Sequence, residues 1–125
     1  EDAIFATRAA LEEGIVAGGG VAFMNVYKKL ENENYDGSEH DIATVIMQAG
    51  LRAPYDQILK NADMSSVKYI DKINYGYNVK NGKTGDMFKM GIIDPLKVSK
   101  NAVRNATSVV ITLLTTSCVV SNKRA

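Results

Sequence analysis

The chain has 125 residues, 46% of them apolar and 23% charged, with fifteen Lys and Arg set against fourteen Asp and Glu. That length suits one domain with a core of its own and is too short for two independent ones. No apolar run nears the ~20 residues needed to span a bilayer, and no basic stripe marks a nucleic-acid binder. The single Cys118 excludes an intrachain disulfide framework and a thiolate-rich metal site and favours a reducing compartment.

The opening Glu1-Asp2-Ala3-Ile4 carries no initiator Met, signal or transit pattern. Residues 1 to 13 read as a helix already under way, without a cap before its first apolar position, which predicts a fragment trimmed inside a helix. Phe23, Val26, Tyr27 and Leu30 share one face of a second helix that starts near Gly19 and ends before the polar stretch Glu31 to Asp36, an expected loop. Ser38 is the expected N-cap of a third helix, with Asp41 in a capping-box-like position and Ile42, Val45, Ile46 and Ala49 on one stripe. The stripe continues as a buried face through Leu51, Tyr55, Ile58 and Leu59, with a kink or a fresh helix start expected at Pro54.

Asn81-Gly82 between two short runs predicts a β-hairpin closed by a type I′ turn. Asp94-Pro95 then reads as N-cap and first residue of a long helix bearing Ala102, Ala106, Val109, Val110 and Leu113. From Thr115 to Ser121 the β-branched pattern predicts a terminal strand that needs a partner outside the chain.

Several residues suggest chemistry. Gly18-Gly19-Gly20 stand at a helix start, where bare backbone amides can meet a phosphate, although glycines there also serve close packing. Asp94 can cap its helix or accept from ribose hydroxyls, and Asn78 is a strand-end residue or a base-reading amide. Asp2 is an exposed acid or a general base. A His40–Cys118 nucleophilic pair is disfavoured, because the Thr-Ser-Cys-Val-Val context reads as strand packing. The five scattered methionines read as gap-fillers.

Glu1-Asp2-Ala3, the run Ala6-Thr7-Arg8-Ala9-Ala10-Leu11-Glu12-Glu13-Gly14-Ile15-Val16-Ala17-Gly18-Gly19-Gly20-Val21-Ala22, the block Tyr75-Gly76-Tyr77-Asn78 and the string Met90-Gly91-Ile92-Ile93-Asp94-Pro95 together resemble the group I chaperonins of the bacterial type. The resemblance implies a mainly helical bundle with a small β-hairpin and a terminal strand. Residues 1–13 would close the intermediate, hinge-bearing domain, and 14–125 would form the C-terminal half of the equatorial ATP-binding domain. Gly19, Asn78, Val79, Lys80 and Asp94 would be nucleotide-binding. Val79 and Lys80 stand where the family has two small residues, so only their backbone is carried over. Asp2 would be the catalytic acid, and Glu13 with Lys100 an interdomain ion pair, here with Lys in place of the family's frequent Arg.

The parent would be an ATP-hydrolysing homo-oligomeric ring that encloses unfolded clients. ATP would act with magnesium whose ligands lie outside this chain, and co-chaperonin and clients would bind through an absent apical domain. Its expected location is cytoplasmic, or alternatively an organelle matrix. Neither nucleic acid nor membrane is an expected partner, and the isolated fragment is expected to be inactive. The alternative is a non-catalytic helical oligomerisation module, in which Gly19, Asn78 and Asp94 would not converge.

Overall fold

The computed structural model describes residues 2–31, 37–64 and 69–121. Among these residues four helices and two small sheets follow in the order α1 (Asp2–Glu13), β1 (Ile15–Ala17), α2 (Val21–Glu31), α3 (Glu39–Asn61), β2 (Tyr75–Asn78), β3 (Lys83–Asp86), β4 (Ile93–Pro95) and α4 (Leu96–Leu114). The predominantly helical class agrees with the periodicity. The loop expected at 31–36 falls, from residue 32 onward, outside the described residues.

α1 ends where Gly14, at φ +88°, turns its amide back onto the Ala10 carbonyl at 2.8 Å, a left-handed helix stop that favours glycine. The chain leaves this turn as β1, which pairs antiparallel with β4: Ile15 opposite Pro95, Val16 opposite Asp94, Ala17 opposite Ile93. The Leu96 amide donates to the Gly14 carbonyl at 3.1 Å, so the end of α1 and the start of α4 are tied at one point.

The core sits where α2 crosses α3 under the β2–β3 hairpin. Ala17, Val21, Met24, Tyr55, Leu59 and Met87 are buried together, and the Tyr55 and Tyr69 rings meet edge-to-face at 5.9 Å, a geometry favoured by the ring quadrupole. Met24 and Met87 are among the largest fully buried side chains. Unbranched thioethers fill the irregular gap between hairpin and helices, as the scattered methionines suggested.

The structure corrects several expectations. α2 begins at Val21, because Gly19 and Gly20 both have positive φ (+64° and +77°) and cannot lie in a right-handed helix. Ser38 is the N-cap of α3 but makes no side-chain cap bond; the Asp41 carboxylate accepts from the Gly37 amide. α3 runs through Pro54 without a fresh start. The hairpin closes by a four-residue loop, not a two-residue type I′ turn: the Asn78 carbonyl accepts from Asn81 and Gly82, and Gly82 alone has positive φ.

Asp94 is not the N-cap of α4. Its pairing with Val16 holds it in β4, and Pro95 takes the cap position without a side-chain cap bond. Residues 116–121 form no strand; they are exposed and irregular, since no described strand lies beside them to satisfy their backbone. On α3, Leu51, Tyr55 and Leu59 are buried as expected, whereas Ile42, Val45 and Ile46 are more than half exposed. α4 buries none of its residues. Between α2, α3 and α4 two open apolar clefts of about 540 and 550 Å³ remain, lined by Phe23, Met47, Leu51, Val103 and Val110 among others.

Candidate functional site

The three consecutive glycines each face a different neighbour. A Cβ on Gly18 would stand 3.1 Å from the backbone of Ile92 and Ile93; on Gly19, 2.9 Å from the Met87 methyl; on Gly20, 2.9 Å from the Tyr55 backbone. The Gly18 amide extends the β1–β4 ladder by donating to the Ile92 carbonyl at 2.9 Å. These glycines therefore do serve close packing, bringing the α2 N-terminus against β4, the hairpin and α3 at once. The Gly19 and Gly20 amides make no hydrogen bond among the described residues. They remain available at the positive end of the α2 dipole.

Met87 couples the hairpin to this turn. A Cβ on Gly76 would lie 2.5 Å from Val21 Cγ2 and 2.9 Å from the Met87 sulfur, so β2 can rest on the α2 start only because position 76 lacks a side chain. The Met87 amide donates to the Asn74 carbonyl, and its carbonyl accepts from Ile92. The glycine turn, the hairpin and β4 thus share one buried junction. Gly19 follows β1 by two residues, Asp94 is the central residue of the paired strand β4, and Asn78 lies two residues along β2 from Gly76.

Asp94 is half-buried, and its carboxylate has no hydrogen-bond or ion-pair partner among the described residues. Burial pushes its carboxyl above the ordinary value of 3.8. An unpartnered, partly desolvated acid is costly unless something donates hydrogen bonds to its lone pairs. A pair of hydroxyl donors would do so.

Asn78 uses its Oδ1 within the loop, accepting from the Lys80 amide at 3.0 Å, which leaves the NH2 as the group it can offer outward. Val79 and Lys80 are exposed on the loop beside it. Asp2 stands apart. It is exposed at the far end of α1, roughly 16 Å from Glu13 at the helical rise per residue, and its side chain makes no hydrogen bond or ion pair among the described residues.

Glu13 and Lys100 form an ion pair, and Glu12 pairs with Lys97 one turn away, so two bridges clamp α1 to α4. Each charge opposes its own helix dipole: acids end α1 and bases begin α4. The partner across the gap compensates, helped at Glu12 by Arg8 on the same helix at 3.5 Å. Lys97 holds the Glu12 carboxyl below its usual range, by hydrogen bond and then by charge. The second pair and the Met87 junction escaped the sequence reading. Their signals were present as adjacent Glu12-Glu13 answered by Lys97 and Lys100 at i, i+3, and as a glycine inside the Tyr-Gly-Tyr strand.

Cys118 is exposed in the irregular segment after α4, and His40 lies in the first turn of α3. Among the described residues no three His, Cys, Asp or Glu side chains gather as a metal site, and no helix is long and apolar enough to cross a membrane.

The chain is similar in structure to a group III chaperonin in its open state, with a TM-score of 0.74 at 23% identity over 90% of this chain. That alignment takes in 25% of the other chain, so the residues here span about a quarter of its length. In sequence, residues 1–124 match the TCP-1/cpn60 chaperonin family, and on a match that leaves out a single residue the chain belongs to that family.

Proposed function

We propose that this chain forms the C-terminal half of the equatorial domain of an ATP-driven ring chaperonin of the group I type, preceded in α1 by the last helix of the intermediate domain. The observation that carries the reading is the shared junction of the glycine turn, hairpin and β4. It sets the open amides of the glycine turn against β4, the strand that carries the unpartnered carboxylate, and against Met87 and β2, the strand that ends at Asn78. A helical module without nucleotide chemistry gives no reason to leave Asp94 desolvated and unpaired.

In this reading the Gly19 amide meets a phosphate oxygen, Asp94 accepts from the ribose hydroxyls, and Asn78 offers its NH2 to the base, with the Val79–Lys80 backbone alongside. Magnesium, when bound, neutralises phosphate charge. Asp2 would accept the proton of the attacking water, and α1 must first swing so that its far end approaches the pocket. The Glu12–Lys97 and Glu13–Lys100 clamp fixes the base of that swing. Closure of α1 would then couple nucleotide state to client enclosure in a homo-oligomeric ring, with clients and co-chaperonin held by parts of the protein beyond this chain. The location would be cytoplasmic or an organelle matrix. The apolar clefts beside α3 and α4 are where the remainder of the domain would pack.

Taken alone, the chain should bind ATP weakly and not hydrolyse it. Titration of the 15N-labelled chain with ATP and magnesium should move the amides of Gly19, residues 78–80 and Asp94, with saturation only at high ligand concentration. Asp94→Ala should abolish those shifts. Shifts confined to the α3–α4 cleft, or turnover in a phosphate-release assay that Asp2→Ala removes, would overturn the assignment.

A further inference from the structure

We infer that Asn81 is a site of spontaneous covalent modification, its carboxamide lost by cyclisation onto the Gly82 nitrogen to leave aspartate and isoaspartate in the hairpin loop. Of ten asparagines, Asn81 alone precedes a glycine. Both residues are exposed, and a Cβ built on Gly82 meets nothing within 4 Å beyond its chain neighbours, so no other part of the fold crowds the attacking residue. The Lys83 amide donates to Asn81 Oδ1 at 3.0 Å. That bond polarises the Cγ carbonyl and is aimed at the oxygen that becomes negative when the carbonyl is attacked, the arrangement that stabilises tetrahedral oxyanions.

One contact opposes the reaction. The Gly82 N–H donates to the Asn78 carbonyl at 2.8 Å and must be released before the nitrogen can attack. The loop tip is exposed and held mainly by its own hydrogen bonds, so it belongs to the segments that open at low free-energy cost. After release, the Gly82 nitrogen bonds to Asn81 Cγ and gives up its proton. The bond from Cγ to the side-chain nitrogen breaks, and ammonia leaves. Solvent water then opens the five-membered imide at either carbonyl, giving aspartate or isoaspartate. The product places a carboxylate between Lys80 and Lys83. The isoaspartyl form also lengthens the main chain by one atom where Asn78 and Gly82 close the loop.

The test is peptide mapping by mass spectrometry of the folded chain held in mildly alkaline buffer, beside the same chain in urea. Asn81 should convert at least about tenfold faster than any of the other nine asparagines in the folded chain, a difference of one decade in rate. Isoaspartate should appear at position 81, Gly82→Ala should slow the conversion at least about tenfold by crowding the nucleophile, and Asn81→Gln should stay unmodified. Conversion of Asn81 no faster than the other asparagines in the folded chain, with fast conversion only in urea, would show that the Asn78 contact closes the site and would overturn the inference.

Discussion

Gly20 offers the sharpest test of how the junction is built. Alanine there would put a methyl 2.9 Å from both the backbone nitrogen and Cα of Tyr55, well inside the ~3.5–4 Å at which carbon atoms attract. A side chain could rotate away from such an overlap, but the α3 backbone cannot. The residue must also hold φ near +77°, a left-handed conformation that costs an L-residue roughly 1–2 kcal/mol. Overpacking of a well-filled contact costs a further ~1–3 kcal/mol, here because α2 is pushed off the Val21–Met24–Tyr55–Leu59 cluster. Together these give a loss of about 2–5 kcal/mol, a large share of the ~5–15 kcal/mol that holds an ordinary domain together. With a urea dependence of ~1–3 kcal/mol per molar, the unfolding midpoint followed by far-UV circular dichroism should fall by about 1 M or more. Gly50→Ala is the matched control. It lies inside α3, and its Cβ meets nothing within 4 Å, so better helix propensity should stabilise the protein by ~0.5–1 kcal/mol. The two substitutions should move the midpoint in opposite directions. If Gly20→Ala shifts it upward or leaves it unmoved, α2 does not rest on α3 as closely as described and the reasoning fails.

Three other outcomes follow from the charges and the exposed faces. Burial raises the folded-state pKa of Asp94, so the native state binds the proton more tightly and stability falls as pH rises from the unfolded value through the folded one. Asp94→Asn should therefore stabilise the ligand-free chain at neutral pH and remove that slope from denaturation curves; an unchanged slope would sink the assignment. Glu12 is shifted the other way and Lys97 upward from 10.5, so the clamp contributes above the unfolded carboxylate value of 4.5, is lost as pH falls through the lower folded value, and is lost again as pH rises past the Lys97 value. Carboxyl NMR of Glu12 should show a midpoint below the ordinary one that returns upward in Lys97→Met. With Val110, Ile111 and Leu114 exposed beside the α3–α4 cleft, the chain should self-associate in sedimentation experiments as concentration rises, and a strict monomer at high concentration would count against an adhesive cleft.

Local patterns were legible wherever one element decided its own outcome. Ser38 marked the start of α3, the spacing of Leu51, Tyr55 and Leu59 gave its buried face, and the paired runs around Asn81-Gly82 gave the hairpin. Strands β1 and β4, three residues each, carry too few positions for a period, and they exist through pairing with residues nearly eighty positions away. That non-local pairing overrode the Asp-Pro cap signal, because a residue held in a ladder is not free to turn its carboxylate onto the next helix. Ile42, Val45, Ile46 and the α4 stripe show a second limit. Periodicity tells which face of a helix is apolar and is silent on whether this chain supplies anything to cover it.

The junction and the uncovered clefts bear differently on what the isolated chain can retain. The glycine-turn junction is held by contacts wholly within the chain: the β1–β4 ladder, Gly76 on Val21, and Met87 under Gly19. None of these relies on α4, which buries no residue of its own and meets α3 through contacts such as the Thr107 hydroxyl on the Met47 sulfur. Loosening α4 should therefore leave the spacing of Gly19, Asn78 and Asp94 largely intact, while it releases α1, which is tied to α4 by both ion pairs. The proposed binding groups and the acid at the tip of α1 thus sit on different mechanical units. If the proposed assignment holds, binding should survive in a chain that has lost the leverage to bring Asp2 to a reacting water, and hydrolysis should fail for want of positioning rather than for want of a site.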